Sequence, residues 1–230
     1  NTQPSEKRLS LCKGIIKQKL SKMNCVNDRE LNEYIDRVIG TLNEDQLSEL
    51  EQSPYPYVVK IQGKVKELIA QHRFCVFDTW LEQDKISCLP NYALPGVISP
   101  TAFTSMTPKS LYTAEEEMNE YEFRVVWSLS ELNNVKWWHR NISRLGFQIN
   151  GPIHAYPDII VMLHSGKILM VETKGDHLDN DESKEKAKIG DQWAKLAGKQ
   201  YKYYMVFETK QPDYPGAYSL ERFMEIVNGL

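Results

Sequence analysis

The sequence has no segment that would hydrolyse a nucleoside triphosphate and none that would cross a membrane. It lacks a G-x-x-x-x-G-K-[S/T] motif: Gly63 and Gly198 are each followed by lysine, but the rest is missing, which excludes the phosphate-binding loop of a motor. No apolar run reaches the roughly 18 residues that a membrane helix needs, and no signal peptide is recognisable. We therefore expect a cytoplasmic chain.

Cysteine and excess charge are also scarce. The four cysteines, at positions 12, 25, 75 and 88, have no C-x-x-C spacing, which argues against a zinc site and favours small apolar fillers over disulfides. The formal net charge is −3, so any surface for nucleic acid must be a local patch. Hydrophobic residues make up 41% and charged residues 26% of the chain, a balance typical of a globular protein.

Proline and apolar spacing predict two regions. Residues 1–52 have the spacing of helices, whereas residues 53–89 contain both a helical face and two strand-like runs, at 57–59 and 74–77. Prolines at positions 90, 95, 100 and 108 then interrupt regular structure. We predict a mainly helical linker or accessory region of unknown role over residues 1–110 and a second domain over residues 111–230. Because the chain begins with Asn1, we also expect it to be part of a longer polypeptide.

The second domain has the alternating pattern of an α/β fold. A helix that starts at residue 114 and ends at the asparagines at 133 and 134 precedes three strands, which are followed by a helix, a strand and a terminal helix. The predicted strands cover residues 135–139, 158–163, 167–174 and 201–207, and the later helices cover 183–199 and 219–227. We predict a mixed central sheet flanked by helices.

The second and third strands carry two acids and a lysine. Glu172 and Lys174 are two positions apart on one strand, so their side chains point to the same face. If the strands form a hairpin through a three-residue loop, with Gly166 in the left-handed conformation, Asp158 lies opposite Glu172. A two-residue turn would place Asp158 opposite Thr173, on the wrong face. We predict the three-residue loop.

This arrangement has two interpretations. Two carboxylates and an amine in one small volume would bind a divalent metal ion and activate water against a phosphodiester. Alternatively, Asp158 caps a strand and Glu172 pairs with Lys174 in a surface salt bridge, which would contribute little stability. The metal site is favoured by the position of Glu172 in an otherwise apolar run, where an isolated acid is costly.

The sequence around these residues resembles a known nuclease superfamily. Pro157-Asp158 followed by Glu172-Thr173-Lys174 is similar to the PD-(D/E)XK motif. The blocks at 134–141, 155–160 and 171–178 resemble the C-terminal nuclease region of type III restriction enzyme Res subunits, and the resemblance covers roughly residues 115–210. It implies a restriction-endonuclease-like core in residues 111–230 and Mg²⁺-dependent hydrolysis of double-stranded DNA.

The resemblance also implies roles for single residues and for partners. Asp158, Glu172 and the backbone carbonyl of Thr173 would hold Mg²⁺. Lys174 would complete the catalytic set, and Glu122 on the preceding helix is a further candidate ligand. A helicase motor that uses ATP would lie in the same full-length polypeptide, and a methyltransferase subunit would supply sequence specificity.

A lysine stripe on the predicted helix over 183–199 is a candidate contact for the phosphate backbone. Gln192 is added because related nucleases often carry a glutamine on this helix, and Arg140 because arginine suits phosphate. The tentative DNA-binding residues are Arg140, Lys184, Lys188, Gln192 and Lys195. A solvated helix face is the alternative explanation for the stripe. His139, in a tryptophan-rich strand, is expected to be a hydrogen-bonded structural residue.

Two other functions stay open. A repair or recombination nuclease acting on branched or single-stranded DNA would use the same acids, with tyrosines at 201, 203 and 204 stacking on unpaired bases. Aromatic residues in a strand, however, more often belong to the core. A non-catalytic module that docks onto DNA or a protein would instead use residues 1–110 as its working surface.

Overall fold

A computed structural model gives the fold of residues 6–20, 27–90, 92–102 and 107–230. Cys25, one of the thiols considered above, lies outside these ranges. The chain forms two compact units, Asn1–Val76 and Phe77–Leu230. The domain boundary predicted near residue 110 falls inside the second unit.

The first unit is helical. It contains α1 (Glu6–Leu20), α2 (Asp28–Gly40), α3 (Glu44–Gln52) and the larger part of α4 (Tyr55–Glu82). Asn27 caps α2, and Asn43 forms a capping box with Gln46 at the start of α3. The apolar faces of the four helices meet in one core. Its buried members are Cys12, Ile16, Leu20, Leu31, Ile35, Ile39, Leu47, Leu50, Val58, Ile61 and Val65.

Helix α4 covers most of residues 53–89, the segment whose sequence pattern is compatible with both a helix and strands. Val58, Ile61 and Val65 are buried along one side of it, at the three- and four-residue spacing of a helical face. Residues 57–59, which resemble a strand because they include β-branched side chains, are therefore helical. The helix allows Val58 to be buried in the same core as Ile61 and Val65. Despite its 28 residues, α4 is not apolar enough to cross a membrane, and neither is any other described helix.

The second unit is an α/β structure with a five-stranded mixed sheet. After the end of α4 come α5 (Glu120–Glu131), β1 (Val135–Arg140), β2 (Ile159–Leu163), β3 (Ile168–Lys174), a short 3-10 helix (Asp176–Leu178), α6 (Asp181–Ala197), β4 (Tyr201–Phe207), β5 (Ala217–Ser219) and α7 (Leu220–Asn228). The strands lie in the order β1-β2-β3-β4-β5. Strand β2 is antiparallel to both neighbours, whereas β4 is parallel to both of its own. The predicted α/β class and mixed sheet are confirmed, and β5 is a strand that the sequence did not predict.

Helix α5 begins later than predicted. Asn119 caps it and forms a capping box with Glu122, so the predicted start at residue 114 is wrong. The carboxylate of Glu115 is 2% exposed and accepts a hydrogen bond from the backbone N–H of Arg140 at 3.1 Å. The segment before α5 is therefore held against β1 by Glu115 instead of continuing the helix.

The outer edge of β1 is partly paired. The N–H of Leu111 donates to the carbonyl of Trp138 at 2.8 Å, and the N–H of Trp138 donates to the carbonyl of Lys109 at 3.0 Å. The indole N–H of Trp138 donates to the carbonyl of Pro108 at 2.9 Å, and its side chain is fully buried. Residues 108–111 therefore cover the middle of this edge.

The two faces of the sheet pack against different helices. Tyr204 of β4 belongs to a core cluster with residues of α5 and α7. Because side chains alternate, Tyr203 points to the other face, where its ring contacts α6 at Gly190. The register of β3 with β4 places Glu172 and Lys174 on the same face as Tyr203. Helix α6 therefore lies on the face that carries the predicted site.

Replacing Gly190 by alanine tests this packing. A Cβ at position 190 would lie 2.2 to 2.4 Å from three ring carbons of Tyr203, and overpacking of this kind costs about 1–3 kcal/mol. We expect Gly190→Ala to lower the free energy of unfolding by about that amount, measured by urea denaturation. Gly63→Ala in α4 is the matched control, since nothing lies within 4 Å of its added Cβ, and it should stabilise by about 1 kcal/mol. Equal effects of the two substitutions would contradict the tight contact.

Candidate active site

The hairpin of β2 and β3 has the predicted register. Ile159 pairs with Val171, and Gly166, in the connecting loop, has a φ of 82°, in the left-handed region that glycine adopts readily. The three-residue loop over 164–166 is thus confirmed. Continuing the register by one residue puts Asp158, which directly precedes β2, opposite Glu172.

The carboxylate of Asp158 is fixed by the neighbouring strands. Its Oδ2 accepts hydrogen bonds from the backbone N–H and the hydroxyl of Thr173, at 2.7 and 2.8 Å. Its Oδ1 lies 3.2 Å from the Nη1 of Arg140. These contacts hold the carboxylate between Thr173 and Arg140, and the Thr173 carbonyl stays a predicted metal ligand.

Glu172 is a buried acid with one unused oxygen. The residue is 4% exposed, and its Oε1 accepts a hydrogen bond from the Nζ of Lys174 at 2.6 Å. Among the described residues, its Oε2 has no hydrogen-bond partner although it is buried. A buried acceptor without a donor is costly and uncommon in a folded protein. This oxygen is therefore the clearest candidate in the site for binding a cation.

The electrostatics of Glu172 and Lys174 also favour a cation. Burial is the main reason that the pKa of Glu172 rises to about 7; the charge of Asp158 raises it further, while Lys174 opposes the rise. Burial alone would lower the pKa of Lys174, but attraction to Glu172 outweighs it and the net shift is upward. The Glu172 side chain is 5% exposed, against 15% for Lys174. Burial therefore disfavours the charged form of Glu172 more than that of Lys174. A bound cation would stabilise the ionised form of Glu172.

The donors at this position fit a hard divalent cation. Mg²⁺ is usually bound through one or two carboxylates and keeps several waters, which matches Asp158 and the open oxygen of Glu172. In the part of the chain that the structure describes, no group of three or more histidine, cysteine, aspartate or glutamate side chains is arranged to hold a metal. A metal here would depend on these two carboxylates, the adjoining backbone and water.

Glu122 and Arg140 lie next to Asp158. The Nη2 of Arg140 donates to the Oε1 of Glu122 at 2.9 Å, and its Nη1 donates to the backbone carbonyl of Asp158 at 2.9 Å. The side chain of Arg140 is only 16% exposed and that of Glu122 9%. The structure thus brings the candidate ligand Glu122 towards the site, with the guanidinium of Arg140 between the two acids.

A second buried acid, Glu115, supports this region and was not recognised from the sequence. Its Oε2 lies 2.9 Å from the Nδ1 of His139, and its Oε1 accepts from the hydroxyl of Ser110 at 3.0 Å. His139 is 4% exposed and packs edge-on against Tyr112. The expected structural role of His139 fits these contacts. Nothing in the acidic stretch at 115–117 distinguishes Glu115 from its neighbours.

Helix α6 presents the predicted lysines mostly to solvent. Lys184, Lys188 and Lys195 are exposed. The Nζ of Lys188 lies 3.3 Å from the Oδ2 of Asp78, and the Nζ of Lys195 lies 2.6 Å from the Oδ2 of Asp191. The Nε2 of Gln192 donates to Asp78 at 2.9 Å. The structure therefore ties Gln192 to the end of α4 and leaves the lysine stripe accessible.

Tyr203, one of the tyrosines considered for stacking on unpaired bases, is buried on the site face of the sheet. It is 4% exposed, and its hydroxyl, like Glu172 Oε2, is buried with no hydrogen-bond partner among the described residues. Burial raises the pKa of its phenol, and the charges of Glu172 and Asp158 raise it further. Two unsatisfied polar atoms therefore lie on this face of the sheet.

Comparisons with protein-family models, with curated proteins and with solved structures find no match to this chain. The functional interpretation therefore depends on the residues and geometry described above.

The raised pKa of Glu172 makes stability depend on pH. Its folded value of about 7 is above its ordinary value of 4.5, so the folded chain holds this proton more tightly than the unfolded chain. The resulting stabilisation is fully present below about pH 4.5 and is lost as the pH rises through about 7. In EDTA at about pH 8, we expect Glu172→Gln, which cannot ionise, to be more stable than the unmodified chain by about 3 kcal/mol.

Urea denaturation of both proteins across this pH range measures the effect. The difference should shrink towards zero near the ordinary pKa of glutamate, because both side chains are then neutral. A difference that does not change with pH would show that Glu172 does not titrate as described.

Proposed function

We propose that the second part of the chain, residues 111–230, is a Mg²⁺-dependent DNA endonuclease domain of the PD-(D/E)XK type, with a restriction-endonuclease-like core. The observation that carries the proposal is the unused, buried Oε2 of Glu172, beside Asp158 on the hairpin and next to the ammonium of Lys174. Two carboxylates can hold a divalent ion that assists phosphodiester hydrolysis, and the adjacent lysine completes the set that the resemblance implies.

Each of these residues has a distinct task in the proposed reaction. Asp158, Glu172 and the carbonyl of Thr173 would hold the metal, with Asp158 oriented by its two hydrogen bonds from Thr173. Bound Mg²⁺ supplies a Lewis acid that polarises the scissile phosphate and lowers the pKa of water. Lys174 would orient the attacking water or neutralise the charge that develops on the phosphate. Glu172 and Lys174 are both largely buried. Because the local dielectric is low, the attraction of Glu172 for the metal and that of Lys174 for the phosphate would be stronger than in water.

The substrate and partners follow from the resemblance to type III Res subunits. We propose double-stranded DNA as substrate, with the exposed Lys184, Lys188 and Lys195 contacting its phosphates without reading bases. This chain has no nucleotide-binding loop. ATP would therefore be used by a helicase motor elsewhere in the full-length polypeptide. A methyltransferase subunit would provide sequence recognition.

Plasmid nicking tests the catalytic set. With Mg²⁺ present, the chain should nick supercoiled plasmid, and EDTA should abolish nicking. Asp158→Ala, Glu172→Ala and Lys174→Ala should each lower the rate by at least about 100-fold, as expected for removing a group that stabilises transition-state charge. Circular dichroism should show that each variant is folded.

The control is Glu221→Ala, which removes an exposed acid on α7 and should leave nicking unchanged. Nicking that survives in all three site variants would exclude this site as its source. Parallel assays on duplex, flap and single-stranded DNA fix the substrate: cleavage of the flap or single strand alone would replace the assignment to duplex DNA by that of a repair nuclease.

A further inference from the structure

We infer that Arg140 takes the place of a second metal ion, so that this site binds one divalent cation and not two. The inference rests on the proposed metal-dependent function and goes further, since it assigns the number of ions and gives Arg140 a positioning role inside the site. It also changes the role expected for Arg140, from a contact with DNA to a contact with two acids of the site.

The guanidinium of Arg140 is held by three acceptors. These are Glu122 Oε1 at 2.9 Å, the backbone carbonyl of Asp158 at 2.9 Å and Asp158 Oδ1 at 3.2 Å. Arg140 is the last residue of β1, and its own N–H is bound by the buried Glu115. Both ends of the residue are therefore fixed, and the side chain lies between the two carboxylates that a second ion would have to bridge.

Both carboxylate oxygens of Glu122 already accept hydrogen bonds from fixed donors. Its Oε1 accepts from Arg140, and its Oε2 accepts from the N–H of Asn119 at 2.9 Å in the capping box of α5. A metal ligated by Glu122 would compete with the ion pair to Arg140 or with the cap of α5. The open oxygen at the site belongs to Glu172 instead.

The charge balance also fits one ion. In their ionised forms, the three carboxylates of Glu122, Asp158 and Glu172 exceed the two cations, Arg140 and Lys174, by one negative charge. One divalent ion would reverse this to one positive charge, which suits an approaching phosphate. Two divalent ions would concentrate three positive charges in a largely buried region before DNA arrives, and such an excess is unfavourable at low dielectric.

Calorimetric titration with Mn²⁺ counts the ions. We expect the unmodified chain to bind one Mn²⁺ and Glu172→Gln to weaken this binding by about 10-fold or more. Arg140→Gln removes the fixed cation but leaves Glu122 and Asp158, so this variant should bind a second Mn²⁺. The double variant Arg140→Gln with Glu122→Gln should return to one ion, because the acid that would bind the second ion is gone.

The outcomes separate this inference from the proposed function. Two ions in the unmodified chain, or one ion in a folded Arg140→Gln variant, would overturn the inference while leaving a metal-dependent nuclease. No ion in the unmodified chain would overturn both. If circular dichroism shows that Arg140→Gln does not fold, the count for the unmodified chain decides the question alone, with one ion supporting the inference and two refuting it.

Discussion

The burial of one carboxylate, that of Glu172, is the constraint around which the rest of the site is arranged. Strand β3 is covered on both faces, so an acid within it loses most of its hydration and needs compensation from the protein. Lys174 supplies part of that compensation through Oε1, but the adjacent Asp158 adds a like charge. A fold that only required stability would place an apolar residue at position 172, and the retained acid is the reason for a functional interpretation.

The parts of this site that the sequence predicts are those set by local rules. Alternation along β3 puts Glu172 and Lys174 on one face. The three-residue loop that aligns Asp158 requires a positive φ, which Gly166 adopts readily. Both rules act over fewer than 20 residues. The order of strands and helices after residue 111 is likewise largely local, because each element has its own apolar period.

The remaining features depend on contacts between distant segments. Strand β5 has only three residues and forms because β4 offers it an edge, which no local pattern indicates. Its residue type predicts a DNA contact for Arg140, yet its partners Glu122 and Asp158 each lie 18 residues away, on opposite sides of it in the chain. Glu115 is buried only because β1 passes beside it. Such pairings follow from the tertiary fold and carry no periodicity that a single sequence reveals.

The outer strands of the sheet have a bearing on how the chain behaves at high concentration. The backbone of β1 is occupied in its middle by residues 109–111 at Trp138, and β5 on the far side is very short. Exposed, long and flat border strands are where β-proteins add foreign strands and aggregate. The described sheet offers little template of that kind, so strand addition between two copies of it is disfavoured.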